Sequence, residues 1–257
     1  MDKSSFGGIL LAIGGILTGM MLEGGKIGQI LQPTAAMIVF GGTFGAVMVQ
    51  FPLSTVVAAV KNLVRVFFIK EPDGEAVVHQ LVAFANKARR SGIVSLDQDL
   101  EKVTDPFMKQ ALMLAVDGTE PAELRKIMQL DLDNRSEAED RIPHVFESAG
   151  GFSPTIGIIG AILGLIQVMQ HLDNITEVGR GIAVAFVATI YGLGLANIIC
   201  LPSAGKLKIR FRAEHLQKEL MLEGVISILE GMNPHMVELK LRTFLAEQKE
   251  VPEGVKV

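Results

Sequence analysis

Ser148-Ala-Gly-Gly-Phe-Ser-Pro-Thr-Ile-Gly-Ile-Ile-Gly-Ala-Ile-Leu-Gly-Leu-Ile-Gln-Val-Met-Gln170 contains no aspartate, glutamate, lysine, arginine or histidine. At ~1.5 Å per residue, an uncharged run of about 20 residues crosses the ~30 Å hydrocarbon core of a bilayer, so the stretch reads as a transmembrane helix. Ser4 to Leu22, Ile27 to Val60 and Gly181 to Ala204 are uncharged in the same way. The second of these is too long for one perpendicular crossing. Pro33 and Pro52 bracket its membrane part, with an apolar continuation beyond. The fold class this predicts is all-α: a polytopic membrane protein with four transmembrane helices and a cytoplasmic helical domain. Residues 1–60 hold the first two spans, 61–147 the cytoplasmic domain, 148–204 the last two spans and 205–257 the cytoplasmic C-terminal helices.

Composition points the same way. The chain is 49% hydrophobic with 27 glycines, and its apolar residues are gathered in long blocks rather than in the short periodic runs of a soluble domain. A net charge of −4 offers no basic surface for nucleic acid. Cys200 lies in an apolar block and, as the single cysteine, excludes an internal disulfide; it reads as a structural thiol. The N-terminal run reads as a retained span and not a cleaved leader, because Met1-Asp2-Lys3 has no net positive charge and Met20-Met21-Leu22-Glu23 is a poor cleavage site.

Basic residues orient the spans. Lys26 and Arg180 stand alone in the two short connections, whereas Lys61, Arg65 and Lys70 follow the second span and Lys206, Lys208, Arg210, Arg212 and Lys218 follow the fourth. Positive charge stays inside, so both termini and the long middle segment are expected in the cytoplasm. Within the spans, Gly14, Gly15, Gly19, Gly41, Gly42, Gly45, Gly157, Gly160, Gly164, Gly192 and Gly194 let helix backbones approach closely in lipid. The glycines from Gly157 to Gly164 do not form a phosphate loop, since no Gly-Lys-Ser/Thr ending follows them.

The middle segment has the apolar spacing of amphipathic helices. Glu75 to Arg90 is one helix, ended by Ser91-Gly92; Ser95 with Gln98 has the pattern of an N-cap box. Asp105-Pro106 starts another helix that stops at Asp117-Gly118, and Thr119-Glu-Pro121 opens a third. After the fourth span the helix continues from Lys206 to Glu230. Gly231-Met-Asn-Pro234 breaks it, a last helix runs to about Lys249, and the tail from Val251 is frayed.

Enzymatic and metal chemistry have no support: His79, His144, His171, His215 and His235 share no ligand spacing, and no nucleophile elbow is present. Arg89 and Arg90 at a helix C-terminus, with Asp97 in the next first turn, complement helix dipoles at ~0.3–1 kcal/mol each. The functional alternative to that structural role is an exposed mixed-charge patch that recruits a protein partner. Pro154 either begins the third membrane helix or kinks it. The polar residues within the spans, among them Thr43, Ser153, Thr155, Thr189 and Tyr191, are few, and threonines there commonly bond back to their own helix. An ion carrier normally places a carboxylate or histidine in its path. These spans contain none, so either the chain conducts nothing or a partner supplies the group.

Several motifs in order resemble the MotA/PomA family of flagellar stator subunits over essentially the whole chain. They are Ile38-Val-Phe-Gly-Gly-Thr-Phe-Gly-Ala46, Ala88-Arg-Arg-Ser-Gly-Ile-Val-Ser-Leu-Asp97, Val116-Asp-Gly118, Pro154-Thr-Ile-Gly-Ile-Ile-Gly-Ala-Ile-Leu-Gly-Leu165, Ala188-Thr-Ile-Tyr-Gly192 and Glu230-Gly-Met-Asn-Pro234. The resemblance implies a homo-oligomer, five copies around a dimer of MotB-like single-span partners that each carry an ion-binding aspartate. It implies that Arg89 and Arg90 face the rotor protein FliG, with Asp97 at the place of a rotor-facing glutamate. It makes Pro154 and Pro234 coupling prolines and places Thr155, Ala161 and Thr189 on the ion pathway. Sodium-driven members commonly have threonine where this chain has Ala161, so the implied ion is H+ rather than Na+, with no cofactor. A non-flagellar ion-driven stator of the ExbB/TolQ or gliding-motility type is the alternative; the ExbB/TolQ type typically has three spans with its N-terminus outside.

Overall fold

The computed structural model describes residues 3–68 and 73–250. The tail from Val251, and Lys70 among the orienting residues, lie outside the described residues. Among the described residues the chain consists of helices and their connections, with no strand. Among the described residues, four helices are long and apolar enough to cross a membrane: Ser4–Leu22, Pro33–Gln50, and parts of the long helices Pro121–Gln170 and Ile175–Leu229. These are the four spans that the uncharged stretches predict.

Local chemistry sets their ends. Pro33 sits at the first helical position of span 2, where no N–H is needed. A π-turn at Met37–Gly41 interrupts that span before it resumes as Gly42–Gln50. It stops at Phe51, which is extended (φ −121°, ψ 144°), as the residue before Pro52 is biased to be. The apolar continuation is therefore a separate helix, Leu53–Phe68. Of the two positions open to Pro154, the structure takes the inner one: helix Pro121–Gln170 runs through both Pro143 and Pro154. Proline has no N–H, so the Gly150 carbonyl loses its usual helical donor at that point.

The chain divides into two compact units, Met1–Lys70 with Glu139–Arg210, and Glu71–Ala138 with Phe211–Val257. The first holds the spans. Two small apolar clusters lie within it, one at Ala35, Val39, Val187 and Ala188 and one at Val47, Val56, Ala59 and Val145. The second unit has a single large core in which Leu81, Phe107, Leu112, Leu124, Met128, Leu220, Ile226 and Leu241 are buried together. Asp105 caps Pro106–Val116 by accepting from the amides of Phe107 and Met108 at 2.9 and 3.0 Å. Gly118 and Gly231 take positive φ where helices end, at 83° and 73°, a conformation that glycine adopts at no steric cost. The final helix is Pro234–Glu250. One local expectation fails. Ser95 caps no α-helix: Gly92 (φ 80°) leads directly into a 3-10 segment, Ile93–Lys102, and the Ser95 hydroxyl donates to the Gly92 carbonyl at 2.7 Å. A capping-box spacing and a 3-10 turn place the same residues three apart, and here the tighter turn forms.

Candidate functional site

Two places gather the residues singled out by sequence. The first is the seam between spans 3 and 4. Ser153, Gly157, Gly160 and Gly164 recur at helical spacing and share one face. Across from them stand Gly181, Ala185, Ala188 and Gly192. A Cβ on Gly157 would lie 2.9 Å from the Ala188 carbonyl oxygen, and one on Gly164 2.7 Å from that of Gly181. A Cβ on Gly192 would lie 2.5 Å from the Ser153 carbonyl oxygen. The two backbones therefore touch along the seam, as small residues permit in lipid. Span 2 joins them, since a Cβ on Gly160 would come within 3.3 Å of Ile38 and one on Gly42 within 2.8 Å of Ile156. The Tyr191 hydroxyl donates to the Ile30 carbonyl at 2.5 Å and accepts from the Gln32 amide at 3.3 Å. Its ring packs against Phe40 at 5.9 Å.

Thr189 is half-buried at this seam, its hydroxyl donating back to Ala185 at 3.1 Å. Ala161 is half-buried beside Gly160. Thr155 is exposed, two residues before Gly157 and so roughly 200° around the helix from it; its hydroxyl donates to the Phe152 carbonyl at 2.8 Å. The structure thus places Thr189 at the seam and Thr155 outside it, and no hydrogen bond joins the two among the described residues. Two other hydroxyls, Ser153 Oγ and Thr43 Oγ1, are buried without a partner. A buried orphan hydroxyl costs ~1–3 kcal/mol. Ser153 continues the period of Gly157, Gly160 and Gly164, which is the signal that could have marked it. At the end of the span, Glu147 accepts from Lys208 Nζ at 2.6 Å and pairs with His144 Nδ1 at 2.7 Å. The Lys208 hydrogen bond holds the Glu147 carboxyl below its usual range despite partial burial.

The second place lies in the other unit. Arg89 and Arg90 end helix Gly74–Ser91 and are exposed; Asp97 is exposed on the 3-10 segment beyond Gly92. None of the three makes an ion pair among the described residues. Asp99 does: it binds Lys87 Nζ at 2.6 Å and Lys102 Nζ at 3.1 Å. The Lys87 hydrogen bond, followed by that of Lys102, holds the Asp99 carboxyl below its ordinary value. Lys87 and Asp99 carry no sequence signal as a pair, being separated by a helix end and a turn. A further node, also invisible in sequence, joins Glu223 to Arg125 at 2.8 Å and to Lys240. Burial raises the Glu223 carboxyl, but the hydrogen bonds from Lys240 and Arg125 outweigh it and hold it low. Pro234 is buried at the start of the final helix, in the second unit, whereas Pro154 belongs to the first. Among the described residues, no three His, Cys, Asp or Glu side chains are grouped to hold a metal.

Comparison with known proteins supplies the frame. Residues 99–220 match the model of the MotA/TolQ/ExbB proton channel family, and residues 6–92 match the Motility protein A N-terminal model. Motility protein A of Bacillus subtilis (strain 168) is 36% identical over 266 residues, covering 100% of this chain and 98% of that protein. The solved structure of C. jejuni MotAB superposes with a TM-score of 0.91 at 30% identity, covering 100% of both chains. The flagellar MotAB stator complex from Bacillus subtilis does so with a TM-score of 0.87 at 35% identity, covering 96% of this chain and 98% of that one.

Proposed function

Because the chain belongs to the motility protein A family and is a stator subunit of the flagellar motor, we propose that it passes protons rather than sodium and pushes the rotor with Arg89, Arg90 and Asp97. It is a multi-pass inner-membrane protein that forms an ion channel with a MotB-like partner as part of an oligomer. The observation that carries the reading is the seam. Four uncharged stretches with no aspartate, glutamate, lysine, arginine or histidine, two of them joined backbone to backbone, make a shell that offers an ion no carboxylate or histidine of its own. The carboxylate is therefore the partner's, one aspartate on a single membrane span.

In this reading both termini lie in the cytoplasm, as the basic residues after spans 2 and 4 favour. Five copies surround a partner dimer, with Thr155, Ala161 and Thr189 along the ion pathway. Ala161 offers no side-chain oxygen to a sodium ion, which supports protons. Ion binding and release at the partner's aspartate move the shell, with Pro154 and Pro234 transmitting the movement. The membrane field contributes about 2.3 kcal/mol per charge per 100 mV, enough for small rigid-body steps. Exposed and unpaired, the arginines and Asp97 are free to meet charges on the rotor protein FliG.

Deletion should leave filaments assembled but unable to turn; absent filaments would contradict the stator assignment. Arg89→Glu should cut swimming sharply at an unchanged membrane level, and normal swimming would remove Arg89 from the rotor contact. Swimming speed should collapse with a protonophore and ignore external sodium; the reverse pattern would make the ion Na+.

A further inference from the structure

We propose that Asp99 is a positioning residue that fixes the geometry of the rotor-facing charges through its ion pair with Lys87. The inference rests on the reading of Arg89, Arg90 and Asp97 as rotor contacts. The pair at 2.6 Å joins the last turns of helix Gly74–Ser91 to the 3-10 segment Ile93–Lys102. All three rotor-facing residues lie on the stretch of chain that this pair closes, with Arg89 two residues after Lys87 and Asp97 two residues before Asp99.

The segment needs such a tether. A 3-10 run has poorer hydrogen-bond geometry than an α-helix, and ten residues is long for one. It leaves the helix at Gly92, whose φ of 80° suits glycine and gives the turn no side chain to pack. Leu96 and Leu100 anchor one face in the core. Apolar contact alone is non-directional, so it leaves rotation of the segment about that face weakly fixed. Asp99 adds the directional bond, and Lys102 at 3.1 Å holds its second oxygen within the segment. The two aspartates are thereby divided in role. Asp97 is exposed and unpaired, while the Asp99 side chain is only 18% exposed and both its oxygens are occupied.

The test is a double-mutant cycle in motile cells that express the full chain with its partner, reading stall torque per stator unit, the number of units recruited, and membrane level. Asp99→Asn and Lys87→Met should each lower torque per unit several-fold, with level and recruitment unchanged. The double variant should lose no more than Asp99→Asn alone, because that change already removes the Lys87 pair. Wild-type torque in Asp99→Asn overturns the proposal. So do additive losses, which would make Asp99 a rotor contact in its own right, and so does a chain that fails to accumulate, which would make it merely structural. Arg89→Glu run alongside separates the two readings: full torque there defeats the rotor contact itself, whereas lost torque there with normal Asp99→Asn defeats only the positioning role.

Discussion

In the unit that holds the spans, helices meet through backbone: Gly157 against Ala188, Gly164 against Gly181, Gly192 against Ser153. Large side chains there, including Leu10, Leu11, Ile158, Ile159 and Ile162, are exposed. In the other unit the order is reversed. Phe107, Leu81, Leu124, Met128 and Leu220 fill the interior, and charged residues tie the surface together. The difference follows from the solvent each unit meets. In water, burial of apolar side chains drives packing. In lipid that gain vanishes, and close backbone approach with dispersion contact takes its place.

Two alanine substitutions should break the comparison most sharply. A Cβ at Gly192 would stand 2.5 Å from the Ser153 carbonyl oxygen and 3.3 Å from the Pro154 Cα, and neither is a flexible end. A Cβ at Gly224 in the second unit would also meet an atom at 2.5 Å, but this is Leu81 Cδ1, the tip of a side chain that can rotate. We expect Gly192→Ala to cost about 3 kcal/mol and to abolish motility through lost accumulation, as strain on packed backbone does. Gly224→Ala should cost about 1 kcal/mol or less, because repacking is open to it and alanine favours the helix. Thermal midpoints of the purified complex and spreading in soft agar would decide; equal losses at the two sites would mean that the seam is no more rigid than the core.

The next largest effect belongs to charge. Glu223 is held ionised by Lys240 and Arg125 against the cost of its burial. A carboxylate whose folded pKa is depressed adds stability that is present above the unfolded value, about 4.3, and is lost as pH falls through the folded one. Glu223→Gln should therefore destabilise the complex by about 1–2 kcal/mol at pH 7, discounted for partial exposure, with the gap closing as acidification passes below the unfolded value. Denaturation followed between pH 7 and pH 3 would show it. A gap that persists at low pH would mean that lost packing, not lost charge, is responsible.

What the sequence made legible follows the same division. Spans declare themselves because absence of charge over a membrane thickness is a property of composition. Asp105-Pro106, Pro121 and Gly231 to Pro234 were readable because caps and breakers act within a few residues. Pro154 was ambiguous for a physical reason: a proline that opens a helix and one carried inside it share the same local sequence. Ser95 is ambiguous in the same way, because its capping pattern also fits the 3-10 turn that forms. The charged residues of the candidate site were visible as residues, but not whether each was free. Nothing local distinguishes Asp97, exposed and unpaired, from Asp99, clamped by two lysines. Partners distant in sequence, such as Arg125 with Glu223 at 98 residues and Tyr191 with Ile30 at 161, need the fold before they exist.

The smallest effect, from Tyr191, refines the contrast, because this is a polar tie inside the unit that packs by backbone. Its hydroxyl links span 4 to Ile30 and Gln32, ahead of Pro33 where span 2 begins. Tyr191→Phe keeps the ring against Phe40 and removes only the oxygen, leaving the Ile30 carbonyl and the Gln32 amide without that partner. Both sites are only part-buried, so water can replace part of the loss, and the net cost should be about 1 kcal/mol. That corresponds to roughly fivefold in a local opening equilibrium. Amide exchange at Gln32 should therefore quicken by about fivefold, while the amides of Gly157 to Gly164 keep their protection. Unchanged exchange at Gln32 would show the tie to be idle, and faster exchange along the seam as well would show that the backbone contacts between spans 3 and 4 depend on it.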